Sequence, residues 1–461
     1  MDYDVVILGG GLAGCALAAD LAQYNLNIAV IERNFDIAED VSPFISTFVS
    51  DGSDIAEERL YTMQKEAHVR LARLSAAANF SYRREPCVSV FTQKQQFFDT
   101  LARIESRGIQ GAYPLDEEQA KERSIPWRAE APFMIYHEQT GIISPYDMAT
   151  ALGEIASENG VRFRLEEEVT AIERMGRDEV KVTTDKSHYT CRVVVITAYN
   201  DLYLGSKKYR RAARNIPLHT MLLEKNFETD VRTMVRKVNA LGNASLVMPS
   251  FSGKTVATLM SPDPMDYKSV KKDVEALIGP FPSDRVDLLT VNNYYDDPVH
   301  IGDHLEEKGY LNLEVKNHYL PAMLPRLMDV VTHLVASNFK VRKNPDYLFK
   351  RRDSFRFRDL SDQERNELIA VDPRFGKMIC TCSEVTEGEI VNAIRRPLGA
   401  RTIEGVKRRT GIVFGSCQGA YCINAVLKIL ANELDKRPED ILNDRRDSRL
   451  LTARIKEFDM V

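Results

Sequence analysis

Asp4-Val5-Val6-Ile7-Leu8-Gly9-Gly10-Gly11-Leu12-Ala13-Gly14 opens the chain, and Asn27-Ile28-Ala29-Val30-Ile31-Glu32-Arg33 follows shortly after. The first run is short and apolar, as a strand buried on both faces requires. The Ala- and Leu-rich stretch Ala16 to Ala22 reads as a helix, and the second apolar run as another strand. Strand, glycine turn, helix and strand within about 30 residues make one βαβ unit. Gly9-x-Gly11-x-x-Gly14 stands at its turn, and Glu32 closes the second strand 18 residues after Gly14. Each position has a task. Gly9 permits the tight turn, and Gly11 lets the backbone approach a diphosphate seated on the helix N-terminus. Gly14 lets helix and sheet pack closely, and Glu32 accepts hydrogen bonds from a ribose hydroxyl. Gly9, Gly11, Leu12, Ala13, Gly14, Glu32 and Arg33 are therefore the candidate dinucleotide contacts. The pattern serves FAD and NAD alike and does not choose between them.

The chain has 461 residues, enough for two to four domains at roughly 150 each. It is 44% hydrophobic and 28% charged, a globular profile, and its net charge of -5 speaks against nucleic-acid binding by bulk basicity. The most apolar stretch, Val5 to Ala22, is broken by glycines and contains Asp20, and no basic segment precedes it. It is read neither as a transmembrane helix nor as a signal peptide, so a cytoplasmic protein, with room for peripheral membrane docking, is expected.

Seven cysteines are too few for a disulfide scaffold in a chain this long. Cys15 falls on the first helix and reads as core packing, while Cys87 and Cys191 have no partner in sequence. Cys380-Thr381-Cys382 and, after 34 intervening residues, Cys417-Gln418-Gly419-Ala420-Tyr421-Cys422 form two close pairs. Four thiolates so spaced suit a zinc or an iron–sulfur centre, although neither pair has the C-x2-C spacing usual for zinc. Between them, Thr386 and Glu389 make a capping box for one helix, Thr402 caps a second, and Ile423 to Glu433 reads as a third. The charged tail 435–461 is expected to be helical.

The opening with Ile31-Glu32-Arg33, the segment Gln139-Thr140-Gly141-Ile142-Ile143-Ser144-Pro145 and the run Glu166-Glu167-Glu168-Val169-Thr170-Ala171-Ile172 together resemble the FAD-dependent oxidoreductases that include D-amino-acid oxidase and glycerol-3-phosphate dehydrogenase. The resemblance covers roughly residues 1–340 and selects FAD. It implies Val169 against the adenine side and the strand end Thr197-Ala198 near the cofactor. It also implies Ser42 and Ser46 in the loop that meets the flavin, although Ser42-Pro43-Phe44-Ile45-Ser46 departs from the family's usual loop there. The Cys380–Cys422 region, with Lys407-Arg408-Arg409-Thr410-Gly411 and Gly415-Ser416-Cys417-Gln418-Gly419, resembles the bacterioferritin-associated ferredoxin-like [2Fe–2S] domain. That resemblance implies Cys380, Cys382, Cys417 and Cys422 as cluster ligands.

The expected architecture is α/β. A Rossmann-like FAD-binding domain (1–80, 135–200, 310–345) carries an inserted α+β substrate or cap domain (80–135, 200–310). A linker (346–375), a small α-helical [2Fe–2S] domain (376–434) and the tail (435–461) follow. A flavin that accepts a hydride, joined to a cluster that passes single electrons, makes a converter from substrate oxidation to a one-electron chain. The expected function is a dehydrogenase for a small hydroxy acid, polyol phosphate or amino acid, resembling the anaerobic-type glycerol-3-phosphate dehydrogenases. Its acceptor would be a redox partner protein or a quinone, with room for a hetero-oligomeric complex. The alternative is a non-catalytic electron-transfer or scaffold subunit. His219 and His318 are the candidate catalytic groups, drawn from the stretch expected to face substrate.

Overall fold

β1 (Val5–Leu8), α1 (Leu12–Leu21) and β2 (Ile28–Ile31) form where the apolar runs and the glycine turn place them. The computed structural model describes residues 1–42, 45–123, 132–197, 215–224, 233–238, 244–295, 299–315, 318–415 and 417–453. β1 is central, since Val5 pairs in parallel with Ile28 of β2 and with Val193 of the strand Val193–Ile196, and all four of its residues are buried because α1 covers one face and Val169, Val180 and Val182 cover the other. Three further strands complete this sheet: Arg162–Arg164 beyond β2, Tyr310–Glu314 beyond Val193–Ile196, and the antiparallel edge His300–His304. α1 is apolar nearly all round and is buried accordingly, packed against the helices Pro145–Glu158 and Leu320–Ala336. Cys15 lies in this core, its thiol 3.2 Å from the Gly10 carbonyl oxygen.

A second sheet has eight strands, drawn from residues 87–137 and 215–295. One face carries the helix Tyr267–Ile278, whose Val270, Val274 and Leu277 fill the core beneath it. The other face carries Cys87, Leu222, Met234, Leu246 and Val256 and packs against Ile142 and Phe48. This second face therefore closes over the Rossmann-like part. α2 (Glu58–Ala78) is the long surface helix that its spaced apolar residues specify, with Ala67 and Leu71 facing in.

The C-terminal module is a two-stranded hairpin (Met378–Cys380, Val385–Thr386) and the helices Glu387–Arg395, Ile403–Thr410 and Ile423–Glu433 around Ile390, Val406, Val426 and Leu430. Both expected caps are present: Thr386 accepts from the Glu389 N–H, and Thr402 from the Gly405 N–H at 3.0 Å. Two expectations need restating. The stretch 346–375 holds a helix, Asp362–Val371, started by the Ser361/Glu364 capping box, and a buried Arg351. The tail is not helical as far as residue 453: Pro438 opens a single 3-10 turn, and the chain then doubles back so that Leu442 bridges to Arg449.

The module is tied to the rest by buried arginine–carboxylate pairs. Arg409 Nη2 donates to Asp36 at 2.7 Å, and Arg396 donates to Glu154 at 2.7 and 2.9 Å. Arg351 reaches the same Glu154 and also Asp147, each at 2.8 Å. The side chains of Asp36 and Arg409 are only 4% and 5% exposed, so neither partner has water as a substitute. Arg409→Met is expected to cost about 3–5 kcal/mol by leaving Asp36 buried without its counter-charge. Hydrogen exchange across Ile403–Thr410 measures it, and unchanged protection would mean that docking rests on other contacts.

Candidate functional site

A cavity of about 510 Å³ opens where β1 and β2 end. Gly9, Gly11 and Leu12 line it from the glycine turn, Glu32 and Arg33 from the end of β2, and Val169 and Thr197 from neighbouring strands. Across from them stand Tyr294, on the strand Val286–Tyr295, and His318. The cavity lies at the carboxyl ends of the parallel strands, beside the central strand on which their order reverses, where open α/β sheets bind ligands.

The backbone here fits a dinucleotide. Gly9 has φ +108°, a conformation that favours glycine. A Cβ on Gly14 would lie 1.9 Å from the Gly9 carbonyl oxygen, so bare backbone alone lets α1 approach β1 this closely. Ala13 sits with it inside the helix, behind the cavity wall. Glu32 accepts from the Gly10 N–H at 2.7 Å and from the Asn34 N–H at 2.9 Å, which fixes its carboxylate on the cavity rim. The N-terminus of α1 already receives an anionic group, since the Leu12 N–H donates to the Asp40 carboxylate.

The remaining candidates divide. Ser42 and Ser46 do not line the cavity: Val41 and Thr47 take those places, and Ser46 is buried. Ala198 lies outside the described residues. His219 is also away from the cavity. It is fully buried in the eight-stranded sheet, and its Nε2 accepts the Met265 N–H at 2.8 Å, a structural pin for the turn before Tyr267–Ile278. His318 does reach the cavity. Its ring packs on Tyr319, with centroids 3.9 Å apart, and meets Tyr294 edge-on at 6.2 Å. Burial brings its pKa down to about 4, with Asp54 opposing and Arg236 assisting, so the imidazole is neutral at ordinary pH.

Behind His318 lies a polar cluster that sequence reasoning missed. Asp54 meets Arg236 at 3.3 Å, and the Tyr319 hydroxyl donates to it at 3.2 Å. Alongside, Asp51 holds His137 Nδ1 at 2.7 Å. Burial raises the Asp51 carboxyl, but His137 and Ser53 outweigh it and bring the pKa to about 2. Strand pairing assembles the cluster: Met234, Cys87 and His137 lie in register across three strands, and Arg236 is two residues along from Met234. A signal was present in the polar turn Asp51-Gly52-Ser53-Asp54 directly after an apolar strand, and in the one arginine within Met234-Val235-Arg236.

In the C-terminal module the cysteines come together two by two. Among the described residues they form two thiol pairs, Cys382 with Cys417 and Cys380 with Cys422, rather than a closed set of three or four donors. Two pairs suit a centre of two irons with two thiolates each. Backbone N–H groups of Gly419, Tyr421 and Ala420 address Cys417, and together with Cys382 they hold its thiol below the ordinary value. Such donors are what a negatively charged sulfur centre needs. Gly415 and Gly419 are required for closeness: added Cβ atoms would lie 2.3 Å from Cys382 Cβ and 2.5 Å from a Val413 methyl. Cys380 and Cys422 are buried, whereas Cys382 is exposed.

Comparison with known proteins agrees with this geometry. The FAD dependent oxidoreductase family model matches residues 4–285, and the BFD-like [2Fe-2S] binding domain matches residues 378–432. A glycerol 3-phosphate dehydrogenase of Caloramator mitchellensis is 29% identical over 484 aligned positions, covering 98% of this chain and 99% of that one. The L-alpha-glycerophosphate oxidase of Mycoplasma pneumoniae, solved with FAD bound, superposes with a TM-score of 0.62 at 19% identity, over 76% of this chain and 98% of that one. The L-proline dehydrogenase of P. horikoshii superposes equally well, with a TM-score of 0.62 at 17% identity, over 75% and 95%. Both structures share the fold. The cofactors are FAD and a [2Fe–2S] cluster, and nothing in these comparisons speaks for a non-catalytic subunit.

Gly14→Val is expected to force α1 off β1 and abolish FAD retention, seen as loss of the flavin absorbance from purified protein. Cys417→Ser is expected to remove iron and acid-labile sulfide while leaving FAD in place. Metal analysis checks this, and one equivalent of zinc in place of iron in the unmodified protein would reverse the assignment.

Proposed function

The chain belongs to the FAD dependent oxidoreductase family, and from that premise we propose that it is a dehydrogenase of a small hydroxylated anion of the glycerol 3-phosphate kind, passing electrons through its [2Fe–2S] centre to an outside acceptor. The observation that carries this reading is the end-to-end match, through both modules, with a relative named as a glycerol 3-phosphate dehydrogenase. When bound, FAD accepts a hydride from the substrate carbon, and the cluster takes the electrons onward one at a time.

The chain's own residues have clear tasks in such a reaction. The glycine turn and Glu32 hold the dinucleotide, with Val169 and Thr197 beside it. Neutral His318 takes the proton from the substrate hydroxyl as the carbon–hydrogen bond breaks. Tyr319, tied to Asp54, supports the imidazole from below and limits its rotation. Arg236, paired with Asp54, fixes the polar surroundings behind His318. The eight-stranded sheet serves as the cap that keeps water from the reacting atoms.

Cys380, Cys382, Cys417 and Cys422 hold the cluster. The exposed Cys382 side offers the exit for electrons, toward a redox protein or a quinone. Among the described residues no helix is long and apolar enough to cross a membrane. Glycerol 3-phosphate added without oxygen should bleach the flavin absorbance. His318→Gln should lower the rate of bleaching by about 10²–10⁴ while leaving the flavin spectrum intact. Because the His318 pKa is lowered to about 4, the unmodified protein should keep its full rate at neutral pH and lose it only as pH falls toward 4. No bleaching by glycerol 3-phosphate or related hydroxy acids would refute the reading.

A further inference from the structure

A second cavity, of about 610 Å³, opens where the C-terminal module meets the rest of the chain. No residue lines both this cavity and the one at the glycine turn. Its size is that of a small-molecule site. Cys382 and Gly415 wall it from the module, and Ser354, Phe355 and Arg356 wall it from the segment that leads into the module. Neither the dinucleotide nor the substrate reading makes use of it.

The cations that line this cavity are paired, with one exception. Arg351 and Arg396 hold Glu154, Arg408 holds Glu39, and Arg409 holds Asp36. Lys254 Nζ donates to Asp287 at 2.5 Å and to the Phe414 carbonyl at 3.2 Å, and Arg358 lies 3.5 Å from Asp359. Among the described residues no hydrogen bond or ion pair falls to the guanidinium of Arg356, which is half-buried. The carboxylates whose charge reaches it are engaged elsewhere. Asp147 accepts from Arg351 and Ser81, Asp359 stands beside Arg358, and Glu389 accepts the Thr386 and Phe357 N–H groups at 2.8 and 3.2 Å. Of the other two acids in the wall, Glu224 is paired with Arg285 and Glu384 is exposed. Burial lowers the Arg356 pKa, and Arg358 adds a like charge, yet a guanidinium stays protonated. The wall thus holds one recessed positive charge with no counter-charge in contact.

The chemistry of the missing partner follows. A guanidinium offers a planar fork of donors that matches two oxygens of a carboxylate or a phosphate. Next to it in the chain, Phe355 lines the same cavity and is 42% exposed, a large apolar side chain left open to water. An anion with an apolar body satisfies both, with its oxygens on the fork and its body on the ring. A bare inorganic anion would leave Phe355 wet and most of the 610 Å³ unfilled. Cys382 and Gly415 belong to the same wall, so the bound charge lies on the cluster's side of the module. A cluster that takes up an electron gains a negative charge, which opposes an anion nearby. Linkage makes the effect reciprocal: the anion disfavours the added electron by the same factor.

We propose that this cavity is a second ligand site, in which Arg356 takes a small organic anion, a carboxylate or phosphate ester with an apolar body, and that the anion binds more tightly while the cluster is oxidised. The second clause rests on the [2Fe–2S] assignment. Calorimetry of the oxidised full-length holoenzyme tests the site with three probes: phenyl phosphate, phenylacetate and inorganic phosphate. At least one ring-bearing probe should bind one to one, about tenfold more tightly than inorganic phosphate. Arg356→Gln should weaken that binding about tenfold or more, the worth of a hydrogen bond to a charged group. It should leave the rate of flavin bleaching by glycerol 3-phosphate unchanged. Ser354→Glu keeps Arg356 but adds a carboxylate to the wall, and it should weaken binding as well. The cluster's midpoint potential, followed by its own paramagnetic signal, should fall when the bound probe is present, as an affinity about fivefold higher for the oxidised form requires. Ring-bearing probes that bind no more tightly than inorganic phosphate, or binding that Arg356→Gln leaves unchanged, would overturn the site. Binding lost in both variants with no effect on the cluster's potential would overturn the link between them. A reduced protein that binds the probe but shows no cluster signal would support the site and overturn the cluster assignment.

Discussion

Backbone meets backbone where Gly14 lies against the Gly9 carbonyl, with no side chain between them. That contact sets how closely α1 approaches β1, and the approach decides where the first N–H groups of the helix point. They open at the carboxyl end of β1, whose two parallel neighbours continue in opposite directions through the sheet. The glycine turn, the Glu32 carboxylate and Asp40 are all arranged around that one helix terminus. A side chain at either glycine would move the terminus, and the cavity would have no seat for a phosphate.

The second constraint is electrostatic. Glu154 receives two guanidinium groups, from Arg351 and Arg396, at a position almost closed to water. Buried pairs of this kind add little net stability over a well-packed apolar contact, since each charge has lost its hydration. Their expected effect is selective, because any other docking of the C-terminal module would leave charges buried and unpaired. Two further pairs link the two cofactor regions. Arg408 and Arg409 come from the helix between the cysteine pairs, and their partners Glu39 and Asp36 belong to the loop that follows Glu32.

What was legible in the sequence is what short-range rules control. The βαβ unit and its glycines follow from local periodicity and spacing. The three helices of the cysteine module follow from Thr386, Thr402 and the apolar run after Cys422. The helix Asp362–Val371 had a readable signal in Ser361 and Glu364, overlooked because the surrounding charge suggests a linker. The polar cluster was not legible, because Asp54, Arg236 and His137 come together only when strands far apart in the chain pair. His219 shows the converse. A lone histidine in an apolar strand suggested chemistry, yet its ring satisfies one backbone N–H in the core. Asp40 escaped notice because nothing local marks a carboxylate that folds back onto a helix N-terminus 28 positions earlier in the chain.

The placement of β1 also bears on how the chain is made. Val5 pairs with Ile28 on one side but with Val193 on the other, and Val194 pairs in turn with Tyr310. The central strand of the sheet therefore leaves the ribosome 188 residues ahead of its second neighbour. At roughly 5–20 residues per second the wait is about 10–40 s, during which an apolar strand edge stays unpaired. Nascent chains of this protein thus spend about two-fifths of their synthesis with one edge of the central strand unpaired, which makes early binding by a holding chaperone the natural protection against aggregation.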